Sequence, residues 1–442
     1  MLFFLMASAA TPLSLKDIFR YKPFRRLWMA QFVSIFGDFL ALFGVISMIA
    51  FRLHGKAVDV TAVTIAYVLP FAIVGPPAGV FVDRWNVKRV MITSDLVRAV
   101  LILLLLFVTD VREICAIFVV LSCVSAFFNP AQSVTLRTIV PKEGLLAANA
   151  MMSQAFYTVR ILSPAAAGAL VALLTEKSTF YLDSASFFFS ALMLSSLTII
   201  RPVAEQGGRK LKSLTAEFLE GNKFIFTHSA LAFVFIAMSV AMFVMSAFSP
   251  LISIFVRDSL PMGPTLSSFV DSMVRHHFMH DVMAARSFFF GIISAMIGVG
   301  MIAGTQFVNR VARNRPKPHV VVAGLLVLGA GVALLGLFHT FYMAALSTFT
   351  MGFSIAFVIV PAQTLSQQET PPAMVGRVSS SFLSLLALSQ TLGLLLSGYL
   401  AQALGVQRLF LACAATLVLL SGIGYLWIRE RQPIAATAGN SN

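Results

Sequence analysis

Apolar stretches of about 20 residues, each long enough to cross a bilayer as a helix, recur down this chain between short polar segments. A helix of that kind pairs every backbone N–H and C=O within its own segment, which hydrocarbon demands and a compact soluble fold does not. The runs fall near Leu27–Phe51, Val60–Val82, Arg89–Val108, Ile114–Leu136, Leu145–Leu173 and Thr179–Ile200. After a polar interval they resume at Leu231–Phe255, Ser287–Val308, His319–Phe338, Tyr342–Thr364, Met374–Leu404 and Val406–Ile428. Only 11% of the 442 residues are charged and 58% are hydrophobic, against about 25% charged in soluble domains. The expected fold is an all-α membrane protein, with twelve transmembrane helices in two pseudo-symmetric six-helix bundles.

The formal charge of +14 does not point to nucleic acid, because no basic–aromatic surface or reading motif accompanies it. The cations sit in loops. About 22 Lys and Arg lie on the side of the termini against about 8 opposite, and this bias marks a cytoplasmic face. Arg25, Arg26, Arg84, Lys88, Arg89, Arg310, Arg313, Arg315 and Lys317 carry much of it. Both termini are therefore expected in the cytoplasm, in a multi-pass protein of a cell membrane of the bacterial inner-membrane type. The stretch Met1–Ala10 is too short for a signal peptide and lacks a basic leader, and Met6 serves as well as Met1 as a start.

The expected layout is a cytoplasmic tail (1–26), a first bundle (27–200), a linker (201–228), a second bundle (229–428) and a cytoplasmic tail (429–442). In the linker, Leu211, Leu214, Phe218 and Ile225 recur at near-helical spacing beside Arg209, Lys210 and Lys212, the pattern of an amphipathic surface helix. Cys115, Cys123 and Cys413 lie inside apolar runs and are expected as small buried residues.

An internal repeat supports the two halves. Pro130-Ala131-Gln132-Ser133 ends the fourth run and Pro361-Ala362-Gln363-Thr364 the tenth, with Pro141 and Pro372 at matching offsets. Paired six-helix halves are the mark of a transporter built from parallel repeats. Gly79-Val80-Phe81-Val82-Asp83-Arg84-Trp85-Asn86-Val87-Lys88-Arg89 resembles the signature loop of the major facilitator superfamily, with Asn86 and Val87 where that pattern has glycine and a basic residue. Ser163-Pro164-Ala165-Ala166-Ala167-Gly168 resembles the proline–glycine motif of the superfamily's exporters, with Ser163 in place of glycine. Phe36-Gly37-Asp38, Ser94-Asp95-Leu96-Val97-Arg98-Ala99, Asn129-Pro130-Ala131 and Tyr181-Leu182-Asp183 are similar to the branch of macrolide efflux pumps and the enterobactin exporter.

The resemblance implies a cytoplasmic gate of Gly79, Asp83, Arg84, Lys88, Arg89 and Arg137. In it Asp83 lies against the start of the eleventh span, where Thr370-Pro371-Pro372 reads as an N-cap followed by first-turn prolines.

Embedded charges are costly and so are read as functional candidates. Asp38, mid-span, suits an acid that loads and releases a proton, or a structural acid bonded to a neighbouring helix. Arg160 cannot shed its charge and calls for a carboxylate. Asp38 and Asp183 both qualify, and the sequence does not choose between them. Asp183 also reads as one member of an interfacial pair. Asp95 and Arg98, three apart, read as a structural charge pair on one helix face. Asn129, Gln154 and Gln390 either line a cavity or bond helix to helix. Met238, Met242 and Met245 form a packing stripe. His276, His277, His280 and Asp281 lie in a long outer loop from Arg257 to Arg286 that reads as solvated.

No nucleotide-binding loop or nucleophile motif is present, so neither an enzyme nor a metal or other cofactor is expected. The reading is a monomeric secondary transporter that couples protons to efflux of an amphipathic, drug- or siderophore-like molecule. A lysophospholipid flippase of the same superfamily is the alternative within the class, and a non-transporting scaffold or receptor the alternative outside it.

Overall fold

The computed structural model describes residues 13–82, 84–199, 211–261, 264–276, 279, 281–312, 315–371 and 374–431. Asp83, Pro372, His277 and His280 lie outside them, as do both chain ends and most of the linker's basic cluster. Helices follow the apolar runs closely. In chain order they are α1 (Leu15–Arg20), α2 (Lys22–Ser47), α3 (Ala57–Val82), α4 (Val87–Leu104), α5 (Val111–Ile139), α6 (Leu145–Leu173), α7 (Glu176–Ser195) and α8 (Leu211–Thr227). The second part holds α9 (Ser229–Asp258), α10 (Pro264–Arg275), α11 (Val282–Val311), α12 (Lys317–Leu337), α13 (Phe341–Glu369), α14 (Val375–Leu404) and α15 (Val406–Arg431).

Twelve of these fifteen match the twelve expected runs, α8 falls where the linker helix was expected, and α1 and α10 are additional. Ten are long and apolar enough to cross a membrane. The other two, α4 and α7, carry charges within their length: Lys88, Arg89, Asp95 and Arg98 on α4, and Glu176, Lys177 and Asp183 on α7. The chain is a multi-pass membrane protein.

Polar residues set several helix starts. Asn86 caps α4, its Oδ1 accepting from Arg89 N at 3.2 Å. The asparagine that departs from the family pattern is thus a good N-cap. Asp110 caps α5 and Asp281 caps α11. Ser14 and Asp17 form a capping box at α1, and the Ser14 donors hold the Asp17 carboxyl below its usual range. Thr370 corrects an expectation. It closes α13 as C-cap, and α14 begins only at Val375 behind Met374, with no side-chain cap.

Two compact units can be drawn, and they follow a different line from the repeat. The first holds residues up to Gly44, Ala66–Ser163 and Glu176–Gly208. Within it α4 packs on α5 and α7. An apolar cluster of Ile18, Phe24, Val87, Phe128, Ile139 and Leu194 anchors α1 to the ends of α2, α4, α5 and α7. The second unit holds Val45–Ile65, Pro164–Thr175 and everything from Arg209. In it α11 and α12 flank α13, α15 packs on α12, and α9 packs on α14.

Gly300 and Gly304 on α11 lie against Phe349 and Phe353 of α13, and Gly352 on α13 against Ile297 of α11, so closely that a Cβ at any of the three would strike the main chain of the opposing helix. Small residues four apart permit this backbone approach.

The end of α2 departs from α-helix. Met48–Arg52 is a π-turn, with Leu53 N bonding Met48 O at 2.9 Å, and His54 adopts a left-handed φ of 51°.

Candidate functional site

The embedded charges of the first unit converge. On α4, Asp95 and Arg98 stand one turn apart and form an ion pair. Arg98 Nη1 also lies 3.7 Å from Asp38 Oδ2 on α2. Helix α7 comes near enough at Gly37 that a Cβ there would meet the Asp183 carboxyl and the Ser186 hydroxyl. Asp183 is buried, accepts from Ser186 Oγ at 3.2 Å, and stands within electrostatic reach of Asp38 and Arg98. The Arg98 guanidinium is stacked between Phe128 (4.7 Å) and Phe187 (4.3 Å). Tyr67 of α3 places its phenol within reach of Asp38 and Asp183.

One guanidinium therefore pairs with two carboxyl groups and has a third within electrostatic reach. Asp95 and Asp183 are fully buried, whereas the Asp38 side chain keeps 15% of its surface open. Oδ2 of Asp95 and of Asp183 has no hydrogen-bond partner among the described residues. Sequence reasoning paired Asp38 or Asp183 with Arg160, but the carboxylates gather around Arg98. Arg160 is exposed and has no ion pair among the described residues. The i, i+3 pair Asp95–Arg98 forms as spacing predicts, within a larger network that spacing along one helix does not reveal.

The remaining candidates are spread out. Arg84, Arg89 and Arg137 are exposed at helix ends, and Gly79 is partly exposed. Lys88 donates to Ser195 O at 2.6 Å and Arg26 to Ser196 O at 2.9 Å, so these two cations cap the C-terminus of α7. Asn129 and Gln154 are exposed on α5 and α6. Gln390 bonds helix to helix, its Nε2 reaching Met242 Sδ at 3.4 Å and its main-chain carbonyl accepting from Ser246 Oγ at 2.9 Å. Met238 and Met242 are buried in that packing.

A second polar centre, not foreseen from sequence, lies within the second unit. Arg257 at the end of α9 holds Asp258 by Nε (2.7 Å) and Nη2 (2.9 Å). Its Nη1 donates to Ala50 O (2.8 Å) and Gly55 O (2.7 Å) on either side of His54. Arg286 of α11 braces the same point by donating to Val256 O at 2.7 Å and Arg257 O at 2.5 Å. Nearby, Ser47 Oγ at the end of α2 lies 2.7 Å from Ser287 Oγ of α11, and Gly168 of α6 meets Gly291 of α11 main chain to main chain. The long loop is thus closed at its base, and it carries α10.

Hydrogen bonds from a charged donor contribute about 1.5–3 kcal/mol each. Arg257→Gln is therefore expected to loosen the junction of α2 with α9. In a background with the three cysteines replaced by alanine, Ser287→Cys should react with N-ethylmaleimide about tenfold faster once Arg257 is changed. An unchanged rate would mean that the junction is held by apolar packing alone.

Comparison with known proteins agrees with this architecture. The family model described as Major Facilitator Superfamily matches residues 27–385 and 276–441. An uncharacterised MFS-type transporter, YfiS, of Bacillus subtilis (strain 168) is 26% identical over 419 residues, covering 92% of this chain and 93% of YfiS. Macrolide efflux protein A of Streptococcus pyogenes is 24% identical over 410 residues, covering 89% and 93%. Among solved structures, that of the nucleoside transporter NupG (D323A mutant) superposes with a TM-score of 0.68 at 16% identity, over 91% of this chain and 99% of NupG. That likeness is one of fold.

Proposed function

This chain belongs to the Major Facilitator Superfamily, and on that premise we propose that it is a proton-coupled exporter of an amphipathic small molecule, working by alternating access. Membership makes it a transporter rather than an enzyme, and a relative named for macrolide efflux favours the outward direction. The carrying observation is the charge count around Arg98. One guanidinium set among Asp38, Asp95 and Asp183 is charge-balanced only when two of the three acids hold protons. In an apolar interior an unbalanced charge is expensive, so protons enter and leave such a cluster as its access to water changes. Asp38, the acid with an open side, is the group through which they exchange.

The gate formed by Gly79, Asp83, Arg84, Lys88, Arg89 and Arg137 belongs to this proposal, as do the two six-helix halves that would rock against each other. So do a monomeric state and both termini on the cytoplasmic face of a cell membrane. When α2 and α9 part, the bonds from Arg257 to Ala50 and Gly55 have to break, which makes that junction the counterpart gate.

Reconstituted vesicles test the reading. With an imposed proton gradient, amphipathic dyes should move uphill, and dissipating the gradient should stop them. Flux that ignores the gradient would remove proton coupling, and absence of flux for every amphipath tried would remove export.

A further inference from the structure

Helix α6 carries a polar line that neither the charge cluster nor the gates use. Asn149, Ser153, Tyr157 and Arg160 are spaced four, four and three apart, which places them on one face over three turns. All four are exposed, whereas Ala155, Val159 and Ser163 on another face are buried. A permanently charged guanidinium in the middle of an apolar span does not face lipid when it is accessible; it faces water or a binding partner. The carboxylates that would neutralise it within the protein are gathered at Arg98. Arg160 thus holds five unspent donors with no counter-ion among the described residues.

Its surroundings are aromatic. Tyr157 lies one turn away with 54% of its surface accessible, and Phe156 stacks edge-on against both Tyr157 (5.7 Å) and Phe39 of α2 (6.0 Å). An apolar ring surface beside a planar, bidentate cation is the chemistry that holds an aromatic or hydrophobic body by its flank and an oxyanion by its end.

We propose that Arg160, with Tyr157 and Phe156, is a substrate subsite selecting amphipaths that bear an oxyanion, either a carboxylate or a phosphate. The proposal rests on the transporter reading above and narrows its substrate class. A free organic acid and a lipid headgroup present the same chemistry to Arg160, so the probes separate them.

The experiment measures binding to the full chain in neutral-lipid nanodiscs, with radiolabelled 1-naphthoate as probe. Neutral 1-naphthamide and cationic 1-naphthylmethylammonium serve as size-matched competitors. In the wild type, naphthoate should bind about tenfold or more tightly than either, the scale of a charge-assisted hydrogen bond. Arg160→Gln should bring the three ligands to about equal affinity, and Arg160→Lys, which keeps the charge but not the fork, should retain part of the preference. Displacement of naphthoate by lysophosphatidylglycerol would extend the subsite to lipid headgroups, and its absence would confine the subsite to free acids.

The wild-type ligand series needs no variant, so the test survives a poorly folding Arg160→Gln. Equal affinities in the wild type, a preference for the cation, or a preference that persists in folded Arg160→Gln would each overturn the proposal. Binding needs no gradient. Selective naphthoate binding without flux would therefore retire the exporter reading and leave the subsite, while gradient-driven flux of neutral or cationic amphipaths alone would do the reverse.

Discussion

Replacing Arg98 with methionine is expected to lower stability by about 3–5 kcal/mol, the usual cost of removing one partner from a buried ionic group. Arg98 is 4% exposed, pairs with Asp95, approaches Asp38 and stacks on two phenylalanines. Methionine fills much of the volume but leaves three neighbouring carboxyl groups without their cation. Heating the detergent-solubilised protein and following its monodisperse fraction by size-exclusion chromatography reads the change. Arg98→Lys should fall between the two, since it keeps the charge but loses the fork and the flat stacking surface. Adding Asp95→Leu to Arg98→Met should recover part of the loss, because removing a whole buried pair costs less than removing half of it. A midpoint unmoved in Arg98→Met would mean that the cluster does not depend on its cation.

Asp38→Asn is expected to abolish proton-driven accumulation while exchange of substrate down its own gradient survives. The amide keeps the size and polarity of the acid but has no proton to release. Asp38 has an open side and lies 3.7 Å from Arg98, a longer contact than that of Asp95. The amide should therefore cost less stability here than an equivalent change at Asp95. Vesicles with and without an imposed gradient, with folded protein measured in parallel, give the answer. Full uphill transport by folded Asp38→Asn would take Asp38 out of the coupling step and turn attention to Asp183.

Much of this fold is legible because hydropathy and helix length answer to the same bilayer. The run read as Leu145–Leu173 is α6 to the residue, and Val406 opens both the last run and α15. Boundaries slip where charge interrupts the apolar signal: the sixth helix begins at Glu176 rather than Thr179, because Glu176 and Lys177 belong to its first turn. Thr370 ends a helix where its sequence suggests a start, because a threonine before prolines fits either.

The site was legible in its members and not in its pairings. Asp38, Asp95, Arg98 and Asp183 each stand out as charges in apolar text, but which acid meets which base depends on how α2, α4 and α7 pack. Arg98 of α4 reaches Asp38 on α2, and Gly37 lets α2 come close to Asp183 on α7, both facts of three dimensions. The line Asn149–Ser153–Tyr157–Arg160 stands in the sequence at helical spacing, but which face of α6 is left open depends on how the helix packs. The π-turn at Met48–Arg52 and the Arg257 contacts have no sequence signature, since main-chain acceptors carry no residue identity.

That last point bears on how this junction can drift as sequences diverge. Arg257 grips carbonyl oxygens of Ala50 and Gly55, and every amino acid supplies a carbonyl. The bond asks nothing of the side chains at those positions, whose limits are steric instead, since Ala50 is buried and a Cβ at Gly55 would meet Ile49, whereas the arginine has no equivalent substitute. The chemical requirement is one-sided. Pairwise covariation between α2 and α9 would be silent here, and a substitution scan should register a demand for arginine at 257 facing a demand for small size, not for any chemistry, at 50 and 55.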